Sequence, residues 1–137
     1  MRKMKAPTKS MFGRFRLGPK KQSQGKVTTI LEWQGQNAVL SVNGRINMQS
    51  AHTLLATVKE LAGKTGNLVV NLDQVDYMDT SGMGVLVTAL KLFKNKGASF
   101  ALSRVNERVR LVMEMSGLVG LFRIYPNDNM ALIEQGC

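Results

Sequence analysis

The sequence predicts an α/β fold: a mostly parallel central sheet of about five strands, with an antiparallel first edge strand and about four helices. Three observations predict it. From residue 27 onward, short β-rich runs alternate with segments of helical periodicity, which implies parallel strands joined by right-handed helical crossovers. One run, Leu68-Val69-Val70-Asn71-Leu72, is almost wholly apolar, as in a strand covered on both faces. The first two β-rich runs are separated only by Gly35-Gln36-Asn37, and a link that short demands a hairpin and hence an antiparallel pair.

The elements follow in order. Val27–Trp33 and Ala38–Asn43 form the opening hairpin, and Gly44 breaks the run. Leu54, Leu55, Val58, Leu61 and Ala62 carry helical spacing across Gln49–Gly63, with Asn47 or Ser50 as cap and Gly63 as stop. The buried run Leu68–Leu72 comes next, then Asp73–Asp79, read as a short polar loop. Helical spacing resumes with Val85, Leu86, Ala89, Leu90 and Phe93, and Asn95-Lys96-Gly97 ends it with cations in the last turn. Ala98–Leu102 reads as a strand and Glu107–Met115 as a third helix closed by Ser116-Gly117. Leu121–Tyr125 is a last strand, cut by Pro126. Asn127-Asp128 then caps a final helix that holds Met130, Ala131, Leu132 and Ile133. Met78, Met83, Met113 and Met115 are expected mostly as core fillers.

Charge divides the chain in two. Residues 1–26 hold nine of the 19 Lys and Arg and none of the nine acids. With Pro7, Pro19, Gly13, Gly18 and Gly25 among the cations, this stretch reads as a disordered basic arm, and residues 27–137 as the domain. The arm suits a solvated tail or contact with an anionic membrane or nucleic acid. Arginine twice interrupts Met11–Leu17, so no secretory signal is expected. No run approaches the ~18 apolar residues of a transmembrane segment. The one cysteine, Cys137, allows no disulfide within the chain and fits a cytoplasmic setting.

The chemistry concentrates in Val75-Asp76-Tyr77-Met78-Asp79-Thr80-Ser81-Gly82-Met83-Gly84. This stretch joins the carboxyl end of a buried strand to a helix start, where α/β sheets meet ligands and partners. First-turn N–H groups lack intrahelical partners, and the helix dipole favours an anion. A phosphate on Ser81 would therefore find donors, and it would add about −1.5 to −2 charges at one point. Gly82 and Gly84 would let a partner approach closely. By residue type alone, Asp79, Thr80 and Ser81 suit a plain N-cap cluster equally well.

Tyr77-Met78-Asp79-Thr80-Ser81-Gly82-Met83-Gly84 resembles the signature of the STAS family, which includes the anti-sigma factor antagonists: an acid, two hydroxyl residues, glycine, an aliphatic residue and glycine. A second stretch, Arg108-Val109-Arg110-Leu111-Val112-Met113-Glu114-Met115-Ser116-Gly117-Leu118, is similar to the family's third helix and its closing serine-glycine-leucine. The resemblance covers roughly residues 27–135. It implies a STAS-like fold and a partner switch. The unmodified protein binds an anti-sigma factor that is also a serine kinase, which frees the sigma factor. Phosphorylation then ends the complex, and a PP2C-type phosphatase resets it. Carried over, the acceptor is Ser81, with Thr80 as alternate. Asp79, Thr80, Gly82, Met83, Glu114 and Met115 would form or border the partner surface. One position departs. Where many antagonists carry an acid after glycine-x-aliphatic, this chain has Gly44-Arg45-Ile46-Asn47, so Arg45 and Asn47 join the expected contact set.

Other classes fit less well. A serine nucleophile would need a base, and the only histidine, His52, reads as a surface residue of the first helix. The Gly-x-Ser-x-Gly frame is absent because Asp79 stands where glycine would be. One His and one Cys do not make a zinc site. No catalytic residue, metal or cofactor is therefore expected. A nucleic-acid binder would rest on the arm alone, since the domain is nearly neutral and no recognition motif is present. Within the same fold, the alternative is a non-enzymatic scaffold subunit of a membrane-transport or stress-signalling complex.

Overall fold

The computed structural model describes residues 14–17, as backbone, and 27–135. Its elements are β1 (Arg14–Leu17), β2 (Val27–Gln34), β3 (Asn37–Ile46), α1 (Met48–Ala62), β4 (Leu68–Met78), α2 (Thr80–Asn95), β5 (Phe100–Ser103), α3 (Glu107–Met115), a 3-10 turn at Val119–Leu121, β6 (Arg123–Tyr125) and α4 (Asp128–Glu134). The strands form one six-stranded sheet in chain order. β2 pairs antiparallel with β3, and β3 to β6 pair in parallel. The predicted fold class stands. The addition is β1, which pairs antiparallel with β2, so the hairpin strand read as the edge is flanked on both sides. The arm read as disordered thus contains one strand. The rest of that arm, with its expected membrane or nucleic-acid contacts, lies outside the described residues, as does Cys137.

Because β3 to β6 are adjacent in sequence order, their three right-handed crossovers put α1, α2 and α3 on one face. The main core lies there. Leu40, Val42, Ile46, Val70, Leu72 and Leu102 of the strands pack against Leu54, Val58, Leu86, Ala89, Phe93, Val109 and Met113 of the helices. The opposite face is thinner: Val39, Val69 and Ala101 meet Ala131 and Leu132 of α4. Successive strand residues point to opposite faces, which is why the Leu68–Leu72 run serves both clusters.

Side-chain caps define the helix starts. Asn47, Asp79, Asn106 and Asn127 each accept a first-turn backbone N–H, satisfying donors that the helix itself cannot. At α1 the cap is reciprocal, since Ser50 Oγ accepts from the Asn47 N–H at 2.9 Å, a capping box. Lys96 closes the other end: its ammonium donates to the carbonyls of Ala62 and Thr65, tying the end of α2 to the end of α1.

Two expectations about strand ends are corrected. Residues Asp73–Met78, read as loop, continue β4. Gly44, read as a break, lies inside β3. Both strands carry register shifts, between Ser41 and Asn43 and between Gly44 and Arg45. Gly44 takes φ 108°, a bulge conformation open to glycine and costly for a side chain. The polar residues Asp73, Gln74 and Asp76 hide the alternation. Beneath them Val75 and Met78 still point into the core, 1% and 3% exposed.

Candidate functional site: the strand-to-helix junction at Ser81

The parallel pairing of β3 with β4 brings Ile46 beside Met78 and Arg45 beside Tyr77. One further bond, from the Asp79 N–H to the Ile46 carbonyl at 3.2 Å, carries the pairing to the last residue before α2. Two helix starts, those of α1 and α2, therefore rise side by side from the ends of two bonded strands. Asn106 braces this arrangement from α3. Its side-chain oxygen caps α3 through the Val109 N–H at 3.0 Å. Its amide nitrogen lies 2.8–3.2 Å from the carbonyls of Leu72, Asp73 and Val75. These carbonyls lie where β4 is irregular, so the amide satisfies groups the ladder leaves open.

Asp79 takes the N-cap position of α2, with Oδ1 accepting from the Ser81 N–H at 2.9 Å. The cap reading of this cluster is therefore correct for Asp79. It leaves the hydroxyls free: among the described residues, no group bonds Ser81 Oγ or Thr80 Oγ1. Ser81 is half-buried and Thr80 exposed. Both hydroxyls thus sit unbonded at a helix N-terminus, where the dipole and the open N–H groups favour an added anion.

The two glycines of the motif have different roles. A side chain at Gly82 would collide with Met78 and would stand 2.9 Å from Ile46 Cγ2. This glycine lets the first turn of α2 settle onto the strand ends, and it is buried. A side chain at Gly84 would meet nothing within 4 Å, and that position is exposed. Gly84 is thus the glycine that keeps the surface bare. Met83, expected at the contact surface, is a core residue at 2% exposure, because it faces inward one position after Gly82.

The expected contact set is only partly brought together. Arg45 is exposed, and its guanidinium carbon lies 4.4 Å from the centre of the Tyr77 ring, a cation–π distance. Asn47 lies beside it, but its oxygen is engaged by the Gln49 and Ser50 N–H groups at 3.0 Å each. Met48 follows at 70% exposure. Glu114 and Met115 are exposed, yet they sit at the far end of α3. That helix starts beside β4 at Asn106 and rises about 1.5 Å per residue. Sequence reading missed Asn106 and Met48 as parts of this end of the molecule. The signals were present: an Asn directly before a helical run, and a large apolar residue directly after a cap. His52 is exposed, as expected.

Among the described residues, no helix is long and apolar enough to cross a membrane, and no group of three or more His, Cys, Asp or Glu side chains is placed to hold a metal ion.

A sheet in this order, with a capped Asp-Thr-Ser-Gly junction at the end of its longest strand, defines a STAS domain. The STAS family model matches residues 29–131, and the chain belongs to that family. Among its relatives, the "Anti-sigma F factor antagonist" of Paenibacillus polymyxa is 38% identical over 68 residues, covering 50% of this chain and 58% of that protein. The "Anti-sigma-B factor antagonist" of Bacillus subtilis is 32% identical over 92 residues, covering 66% of this chain and 84% of that protein. Among solved structures, the Bacillus cell fate determinant SpoIIAA in its phosphorylated form superposes with a TM-score of 0.62 at 18% identity, covering 77% of this chain and 97% of that one.

Proposed function

We propose that this protein is a cytoplasmic anti-sigma factor antagonist working as a phospho-switch at Ser81. Unmodified, it docks an anti-sigma factor that is also a serine kinase. Phosphorylated, it lets go, and a phosphatase of the PP2C type restores it. The observation that carries the reading is the free, half-buried hydroxyl of Ser81 beside a capping carboxylate at the start of α2. A phosphate there adds about −1.5 to −2 charges next to Asp79. A partner pressed on that surface would have to desolvate this charge without pairing it, which is expensive. Release then needs no refolding.

Two comparisons support the reading. Relatives 38% and 32% identical over their aligned residues are named antagonists, and a protein of the same fold is known in a phosphorylated form. The surface that docks would be Arg45, Asp79, Thr80, Ser81 and Gly84 with the apolar Met48 and Tyr77. Asn47 borders it through its amide.

The test is to incubate the full chain with ATP and each anti-sigma factor serine kinase of its host, then map phosphate by mass spectrometry. Label on Ser81 is expected. Label on Thr80 alone would move the acceptor by one residue. Absence of label from every kinase would overturn the switch. It would favour a scaffold role instead, a reading supported by the neutral Asn47 where many antagonists carry an acid.

A further inference from the structure

The domain has two ends, and Ser81 occupies only one of them. α1 and α2 both start where β3 and β4 finish. As crossover helices they run back against those strands, so both finish at the opposite end. Lys96 ties the two finishing turns together, donating to the carbonyls of Ala62 and Thr65. Five exposed lysines collect there: Lys59 and Lys64 at the end of α1, and Lys91, Lys94 and Lys96 at the end of α2. Glu60 is the one acid on these two helix ends, and it pairs with Lys64 at 3.1 Å. The macrodipole favours a cation in the last turn of a helix, which accounts for Lys59 and Lys94. Lys91, one turn earlier, lies beyond that effect.

The topology brings further charge to the same end. The β2–β3 hairpin turns there, since the Gly66 N–H, just after α1, donates to the Gln36 carbonyl at 2.7 Å. β1 pairs antiparallel with β2, with Arg14 opposite Glu32 and Leu17 opposite Thr29. It therefore begins close to that turn and runs away from it, and the chain before β1 joins the sheet at the lysine end. Residues 1–13 carry Arg2, Lys3, Lys5 and Lys9 and no acid. Glu32, Glu114 and Glu134 lie toward this end on β2, α3 and α4, too few to balance these cations. At the Ser81 end, Asp73, Asp76, Asp79 and Glu107 stand with Arg45, Arg104 and Arg108, and the two signs nearly cancel.

We propose that the lysine end, with the basic segment that joins it, docks this protein onto an anionic lipid surface and leaves the Ser81 end turned away from it. The chemistry favours lipid over nucleic acid. The cations of the folded end are all lysines, compact hydrated charges suited to diffuse attraction, whereas arginine is the residue that forks onto individual phosphates. The sequence also sets Met1, Met4, Met11 and Phe12 among the cations of the joining segment, apolar residues of the kind that enter a headgroup layer. The inference goes beyond the phospho-switch reading and holds whether or not Ser81 is modified.

The test sediments the full chain with vesicles of phosphatidylglycerol and phosphatidylcholine in equal parts, and with vesicles of phosphatidylcholine alone. Salt is kept at about 0.1 M, where charges act over about 10 Å. The wild type should pellet with the anionic vesicles and stay in solution with the neutral ones. Lys59→Gln/Lys91→Gln removes one charge from each helix end and should weaken binding to the anionic vesicles about tenfold or more. Arg104→Gln/Arg108→Gln removes the same charge from the Ser81 end, beyond the screening length of the surface, and should change binding by no more than about twofold. All four side chains are exposed, so both variants should keep the wild-type circular dichroism. Equal losses in the two variants would mean that net charge alone draws the chain to lipid, and would overturn the proposal. So would a wild type that ignores the anionic vesicles, or one that a DNA duplex strips from them at matched phosphate concentration, since nucleic acid would then be the occupant. No kinase takes part, so each outcome is separate from the labelling of Ser81.

Discussion

At the start of α4, Asp128 accepts from Asn71 Nδ2 at 3.1 Å and from the hydroxyl of Ser103, and Ser103 is fully buried. At the start of α2, Asp79 accepts only a backbone N–H, and the nearby Ser81 keeps its hydroxyl unbonded and half in solvent. Both places pair an aspartate with a serine at the junction of sheet and helix. In one the carboxylate consumes the hydroxyl to fasten a short helix onto the thin face of the sheet. In the other the carboxylate fastens the helix through its backbone and leaves the hydroxyl unbonded. What separates the anchor from the proposed switch is therefore which donor the carboxylate takes and how far the serine is buried.

Placing a carboxylate at each serine breaks the comparison most sharply. Ser103→Asp sets a second acid, at a fully buried position, against the half-buried Asp128. Its cost should be about 3–5 kcal/mol, as for an uncompensated buried charge, lowering the melting temperature by roughly 10 °C or more. Ser81→Asp should leave stability within about 1 kcal/mol, because an acid in the first turn is favoured by the dipole and opposed by Asp79. Its effect should appear in docking instead. Affinity for the kinase that labels the wild type should fall roughly thirtyfold or more, as like charges or a desolvated charge demand. Thermal melts and titration calorimetry read the two quantities. Equal melting losses in both variants would erase the distinction between anchor and switch, and undiminished affinity in Ser81→Asp would remove charge as the cause of release.

Much of this contrast is legible in the amino-acid sequence, and the illegible part has physical causes. The alternation of elements and the capping residues Asn47, Asp79 and Asn127 predict the sheet, the helices and the junction at Ser81. The continuation of β4 through Asp73–Met78 is hidden because its solvent-facing positions are polar and only Val75 and Met78 report the core. Gly44 reads as a break because glycine marks both bulges and strand ends, and only the pairing with β4 distinguishes them. At the site, a motif lists residues without saying which way each one faces. Asp79, Thr80 and Ser81 do line the exposed end, whereas Gly82 and Met83, two and four positions beyond Thr80 and Asp79, turn into the core. Glu114 and Met115 are exposed in the last turn of α3, and periodicity along one element cannot place them against another.

The two glycines of the motif give the finest version of the comparison. Gly82→Ala puts a methyl against Met78 and 2.9 Å from Ile46 Cγ2. Overpacking of this kind costs about 1–3 kcal/mol, and the better helix propensity of alanine returns at most about 1 kcal/mol, so a modest net loss of stability is expected on chemical denaturation. Gly84→Ala adds the same methyl to open space. Nothing inside the domain opposes it, so stability should rise by up to about 1 kcal/mol. A glycine kept in an exposed helical position against that preference suits a face that something else must approach closely. Gly84→Ala should therefore be the variant that folds better and binds worse, with a several-fold loss of kinase affinity. If it binds as the wild type does, the docking surface does not extend one turn along α2 and ends at Ser81.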